Sequence, residues 1–175
     1  MDNLQNPYGL VSELLQLPKQ ILKHIHTHNL TDLLLGHLAS ENYFNLKKAA
    51  YLLNNPEFNC VKGLSGIEDH DIKDWKKLWE DPAESAKRLA NSSYNQKIKS
   101  FASASPFADL GAHRPEELVE YAKQNFAFNN PVFIGWHGKH GNYGLFFCEP
   151  RNPQALAEQL SLLEHATPLL SITHS

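Results

Sequence analysis

The sequence predicts an α+β fold, mostly helical over about residues 9–101 and followed by a small C-terminal α-β-β-α-β unit centred on a hairpin at 132–149. Three observations carry this prediction. Pro131-Val-Phe-Ile-Gly-Trp-His137 and Tyr143-Gly-Leu-Phe-Phe-Cys-Glu149 are rich in β-branched and aromatic residues, and the glycine-containing insert 138–142 between them suits a hairpin turn. Upstream, apolar residues recur at the three- and four-residue spacing of a helix face. Asp81-Pro82-Ala83-Glu84 then places a carboxylate at an N-cap, proline in the first turn and glutamate at the third helical position.

In chain order, Leu10, Val11, Leu14, Leu15, Ile21, Leu22 and Ile25 form a helical stripe interrupted by Pro18, which predicts a bend and a second helix opening there. His24, His26 and His28 close that helix, and Thr31 caps the next, whose inward residues are Leu34, Leu35 and Leu38. A third helix is expected over 45–54, buried through Leu46, Ala49, Ala50, Leu52 and Leu53 and stopped by Asn54-Asn55-Pro56. Residues 57–67 show no period and read as a loop or a short distorted helix.

Ile72, Trp75, Leu78 and Trp79 predict an aromatic helix face after Asp71. The helix capped at Asp81 continues through Ala86, Leu89, Ala90 and Tyr94 toward Ile98 and Phe101, and serine-rich 100–106 ends it. Pro115-Glu116-Glu117 opens a helix with Leu118, Val119, Ala122 and Phe126 inward. Asn152-Pro153 opens another before Leu156, Leu160 and Leu163, and 169–173 reads as a terminal strand. At 175 residues a chain buries roughly 70% of its unfolded surface, so one domain over 1–175 is expected, with 1–104 and 105–175 as its subdivision.

A net charge of −3 supplies no broad attraction for nucleic acid. No apolar run is long enough to span a membrane, and the first residues lack the basic start and apolar core of a secretory signal, so a cytoplasmic protein is expected. Cys60 and Cys148 stand 88 positions apart in neither a CxxC nor a zinc-type spacing, which reads as reduced thiols. Protonating all ten histidines would add ten positive charges, so acidity can change charge and partner choice.

Two groups of side chains can be written as chemistry. His24 and His28 lie one helical turn apart, the spacing of two metal-binding imidazoles, and His37 is a third ligand for a divalent transition metal, with Asp32 able to complete the set. The competing account needs only a helix end, where histidines complement exposed carbonyls; the HExxH pattern is absent. Cys60, with His70 between Asp69 and Asp71, can be drawn as a thiol relay, although Phe58 and Val61 suit Cys60 to a core position. Cys148 lies on the second hairpin run, within reach of His137 or His140 across the turn, or packs as a small apolar group.

Gly135-Trp-His-Gly-Lys-His-Gly141 sets a lysine among glycines but between strands, and matches neither GxxxxGK[ST] nor GxGxxG. Trp136, Tyr143 and Phe146 offer a surface for stacking bases, yet without a basic stripe they read as sheet packing. The lysines from Lys73 to Lys99 alternate with carboxylates as on a solvated helix face. No GxSxG elbow is present.

Leu17-Pro-Lys-Gln-Ile-Leu-Lys-His-Ile25, followed by Leu30-Thr-Asp-Leu-Leu-Leu35, resembles the start of an F-box, in which a Leu-Pro pair opens one helix and a later Asp-Leu-Leu opens the next. Glu41-Asn-Tyr-Phe44 loosely matches that family's closing polar-aromatic segment. The resemblance implies an adaptor-binding surface over 15–44, the helices docking on a ubiquitin-ligase adaptor.

The function expected is that of a non-catalytic protein-interaction or regulatory protein, because no connected set of catalytic groups is visible. A protein partner is expected, with Trp75, Trp79 and Trp136 as candidate contacts. The alternatives are a thiol- or metal-dependent hydrolase or transferase using Cys60 and His70 or the His24, His28 and His37 group, and an F-box-like adaptor.

Overall fold

Two layers of helix enclose an antiparallel sheet of order β3-β2-β1-β5-β4. The computed structural model describes residues 7–72, 77–104 and 115–174. Along the chain come α1 (Pro7–Lys23), α2 (Leu30–Ala39), β1 (Leu46–Asn55), β2 (Cys60–Glu68), a 3₁₀ turn (Asp69–Ile72), α3 (Pro82–Ala90), α4 (Ser93–Lys99) and β3 (Ala102–Ala104). They are followed by α5 (Pro115–Phe126), β4 (Val132–His137), β5 (Tyr143–Pro150), α6 (Pro153–Ala166) and a 3₁₀ stretch (Thr167–His174). The α+β class is as the sequence predicts, and the hairpin at 132–149 is β4 and β5, paired from Val132 with Cys148 to His137 with Tyr143.

The helix expected over 45–54 is instead strand β1. Alanine and leucine favour helices, but β1 is the central strand, paired with β2 on one side and β5 on the other and covered on both faces. Ala49, Ala50, Tyr51 and Leu52 are all buried, so the alternation of a half-exposed strand never arises. The unperiodic stretch at 57–67 is largely β2. Its register shifts between Ser65, opposite Tyr51, and Gly63, opposite Leu52, and the extra residue Leu64 disrupts the two-residue period. Gly63 and Gly66 lie under α4, where a Cβ at either would collide with Ile98. The unpaired edge of β2 is closed by Asn95, whose carbonyl accepts the Gly66 N–H at 2.9 Å while its amide donates to Leu89 O at 2.9 Å.

Further corrections follow. Pro18 lies inside a continuous α1, so no second helix opens there, nor does the Leu-Pro pair of the F-box resemblance begin a helix. Ile72 ends a 3₁₀ turn and 78–80 is a turn, not a helix; Trp75 lies outside the described residues. The long helix expected from Asp81 divides at Asn91 and Ser92: Asp81 accepts the Glu84 N–H as predicted, and Ser92 caps α4 by accepting the Asn95 N–H. Residues 102–104 pair with 60–62 as β3, and 169–173 are 3₁₀ instead of strand. The sheet crosses the expected subdivision near 104, since β1 and β2 are joined to β5 and β4.

The faces of the sheet make two cores. Ala49, Tyr51, Ile67, Ile134, Phe146 and Cys148 face α1, α2, α3, α6 and the C-terminal 3₁₀ stretch. Ala50, Leu52, Val61, Leu145 and Phe147 face α4 and α5. No described helix is long and apolar enough to cross a membrane.

Candidate functional site

Helix α1 carries two apolar rows. The inner row, Leu10, Leu14, Leu17 and Ile21, packs on the first core. The outer row runs Val11, Leu15, Pro18, Leu22 and then Ile25 just beyond the helix, and its members are 39%, 73%, 71% and 43% exposed at Val11, Leu15, Leu22 and Ile25. Successive members are four, three, four and three residues apart. This is the spacing of a coiled-coil seam, which keeps one apolar stripe facing a partner helix. Single exposed apolar residues need no explanation, but an ordered row does.

The solvent flank of this row is basic: Lys19, Lys23 and His26 are exposed beside it, together with Ser12 and Gln16. Glu13 lies on the far side of the helix, where its carboxylate accepts the Tyr43 hydroxyl at 3.4 Å. The sequence holds eight aliphatic residues between Leu10 and Ile25, more than one helix face of that length buries. That surplus was the signal for a second row.

The sequence-predicted ligands separate into two places. His37 is buried, its Nδ1 accepting the Trp79 indole N–H at 3.0 Å and its ring 4.1 Å from that of Tyr43. Burial lowers its pKa to about 4, so at neutral pH it is the uncharged imidazole that Trp79 requires. His24 packs its ring 5.4 Å from Trp79 on the same aromatic cluster, with Nε2 buried and unpartnered. His28 instead lines a cleft of about 510 Å³ with His24, His26, Lys23 and Lys87. Among the described residues, no three His, Cys, Asp or Glu side chains gather in a geometry able to hold a metal ion.

Cys60 and His70 are not brought together. Cys60 begins β2, and His70 follows its other end; at about 3.3 Å per strand residue they stand roughly 25 Å apart. His70 lies 3.4 Å from an Asp71 oxygen and 3.8 Å from Glu68, in a cleft of about 680 Å³ that also presents Glu41 and an Asp69–Arg151 ion pair. That cleft holds acid–base groups, but neither a thiol nor a hydroxyl is among its described lining residues. Cys148 is fully buried, and burial raises its thiol pKa far above the usual range, so it stays protonated.

Sequence reasoning named one polar group as a candidate metal ligand and missed the partners that it takes instead. Asp32, in the first turn of α2, is buried, accepts the Ser65 hydroxyl at 2.7 Å and pairs with Lys99 at 2.5 Å. Its partners stand 33 and 67 residues away, so no local pattern marks them. Lys99 is about one-third exposed.

Comparison with protein-family models, with curated proteins and with solved structures finds no match to this chain.

Proposed function

We propose that this protein is a non-catalytic interaction module that docks an amphipathic helix of acidic flank along the outer row of α1. The observation that carries the reading is the exposure of Val11, Leu15, Leu22 and Ile25 at alternating four- and three-residue spacing beside Lys19, Lys23 and His26. Burying one such side chain is worth about 1.5–3 kcal/mol, so four contribute at most roughly 6–12 kcal/mol. Association itself costs about 4–15 kcal/mol. The apolar row therefore gives adhesion of modest strength, and charge decides the partner.

A second copy of this chain fits poorly. An antiparallel two-fold pairing sets each flank against its own copy, and Lys19 and Lys23 would then meet like charges. A helix with glutamates beside its apolar seam meets the same lysines favourably. The thiol route has no comparable support, because Cys60 opens β2 and His70 lies past its other end.

The test uses two designed helical peptides of about three heptads, both with leucine at the seam, one flanked by glutamate and the other by lysine. The glutamate peptide is expected to bind at least tenfold tighter by titration calorimetry. The double change Leu15→Glu and Leu22→Glu is expected to abolish binding while leaving the thermal transition in place. Equal affinity for both peptides, or binding indifferent to the double change, sinks the proposal. So does a dimer of the protein alone that the double change dissociates.

A further inference from the structure

The sheet ends in two edges of unlike kind. At one edge β3 is three residues long, whereas at the other β4 runs six residues from Val132 to His137 and, among the described strands, is paired with β5 alone. The hairpin turn fixes which main-chain groups of β4 are used. Gly138 N–H donates to Asn142 O at 2.7 Å, and the β4–β5 register continues from there without a shift. Successive residues of a strand direct their main-chain groups to opposite sides. Trp136, Ile134 and Val132 therefore bond to β5, while His137, Gly135 and Phe133 point their N–H and C=O groups away from it. Among the described residues no main-chain bond reaches these outward groups. Gly135 and His137 are exposed, so this edge is open to solvent.

A free edge is a template for a further strand, and lysine, proline, a bulge or brevity normally blunts it. Brevity blunts β3. In contrast, β4 contains no Asp, Glu, Lys, Arg or Pro and no bulge. What this edge accepts is an extended strand without charge. A charged peptide finds no counter-charge along β4, and a flexible one loses backbone entropy on being ordered there. In a second copy of this chain β4 is uncharged and already ordered, so neither obstacle arises.

We infer that two copies of this chain join edge to edge, β4 antiparallel to β4, about a two-fold axis through Gly135. This register sets Gly135 opposite its own copy and Phe133 opposite His137. All three outward residues of both strands are then engaged, for about six hydrogen bonds at two per pair. Moving the axis to Ile134 sets His137 against Pro131, which has no N–H, and moving it to Trp136 sets Phe133 against Lys139 in the turn. The Phe133 ring leans over Gly135, where a Cβ would lie 2.8 Å from its Cζ, so the glycine leaves room for the rings beside the axis. The charges agree as well. Each exposed Lys139 stands at an opposite end of the paired strands, roughly 25 Å from its copy at about 3.3 Å per residue, well beyond a screening length of about 10 Å. An edge about 20 Å long makes a small interface, so the dimer forms as concentration rises and is not obligate. It shares no residue with the outer row of α1.

The experiment is sedimentation equilibrium of the full chain from micromolar to millimolar concentration, with amide hydrogen exchange on the same samples. A monomer passing into a dimer is expected, with exchange at Phe133, Gly135 and His137 slowed at least tenfold at the dimeric end. Ile134 and Trp136, bonded to β5 in either state, are expected to exchange slowly throughout. Gly135→Lys and Gly135→Glu each set like charges across the axis and are expected to weaken the dimer at least tenfold alone, whereas an equal mixture of the two dimerises again. Leu15→Glu with Leu22→Glu is expected to leave the dimer intact, which separates this edge from the α1 reading. A chain that stays monomeric at millimolar concentration overturns the inference, and so does assembly beyond the dimer. So does a dimer in which those three amides exchange at the monomer's rate, a result that needs no substitution and decides the matter even where the Gly135 variants fail to fold. Folded Gly135 variants that each dimerise as tightly as the parent overturn it too.

Discussion

Helices α1 and α2 follow one another and are both leucine-rich, yet their surroundings differ completely. All ten residues of α2 are buried, including Thr31, Asp32, Gly36 and His37. Each polar member whose bonds are described has a specific partner: Lys99 and Ser65 for Asp32, Trp79 for His37. Gly36 permits close approach, since a Cβ there would sit 2.9 Å from a Leu89 methyl. In α1 the polar residues beside the outer row lie in solvent, and so do the leucines of that row. Leucine content therefore does not distinguish a fully buried helix from one that leaves an apolar row in solvent. What the polar residues between the leucines touch does distinguish them.

The largest expected effect tests that distinction directly. Leu35→Ala should destabilise the protein by about 2–5 kcal/mol because it leaves a cavity in a fully buried site, whereas Leu22→Ala should stay within about 0.5 kcal/mol. Urea denaturation of both variants checks this, and similar losses would erase the contrast between the helices.

Next in size is Lys99→Ala, which strands the buried Asp32 carboxylate with only Ser65 as a described side-chain partner. Breaking a buried pair costs about 3–5 kcal/mol, and partial exposure of Lys99 places this variant near the low end. Asp32→Asn should cost less, because it removes the buried charge together with the need for its partner. A reversed order in denaturation midpoints would mean that the carboxylate is solvated in place.

The smallest effect sharpens the account of His37. Its folded pKa is about 4 against an ordinary 6.5. Between those values the unfolded chain binds the proton and the folded chain does not. The stability is complete above about pH 6.5 and falls as pH drops toward 4. By pH 5 the loss is about 2 kcal/mol. His37→Gln should flatten that part of the stability profile relative to the parent; an unchanged slope would assign it to other groups.

Among the elements, legibility followed locality. Asp81 with Glu84, and Asn152 with the N–H groups of Gln154 and Ala155, act within three residues, and both caps stand where the sequence placed them. The hairpin at 132–149 was legible for the same reason, with a short turn joining strands that pair with each other. Strand β1 was not, because its Ala-Ala-Tyr-Leu-Leu run is compatible with either period and, although β2 follows across a short turn, its other neighbour β5 comes only after α3, α4, β3, α5 and β4. Of the candidate residues, His24 and His37 do meet at one tryptophan, but that indole occupies the space between them and satisfies His37 itself.

By itself, then, the sequence determined the helix starts at Asp81 and Asn152, the hairpin turn and the α+β class. Each is written in residues a few positions apart, where backbone geometry and capping hydrogen bonds act without help. Tertiary structure alone decided that 46–55 is the central strand, that Asp32 meets Lys99, and that one row of α1 is buried while the other faces water. Burial is a property of what lies opposite, and the segments lying opposite are tens of residues away along the chain.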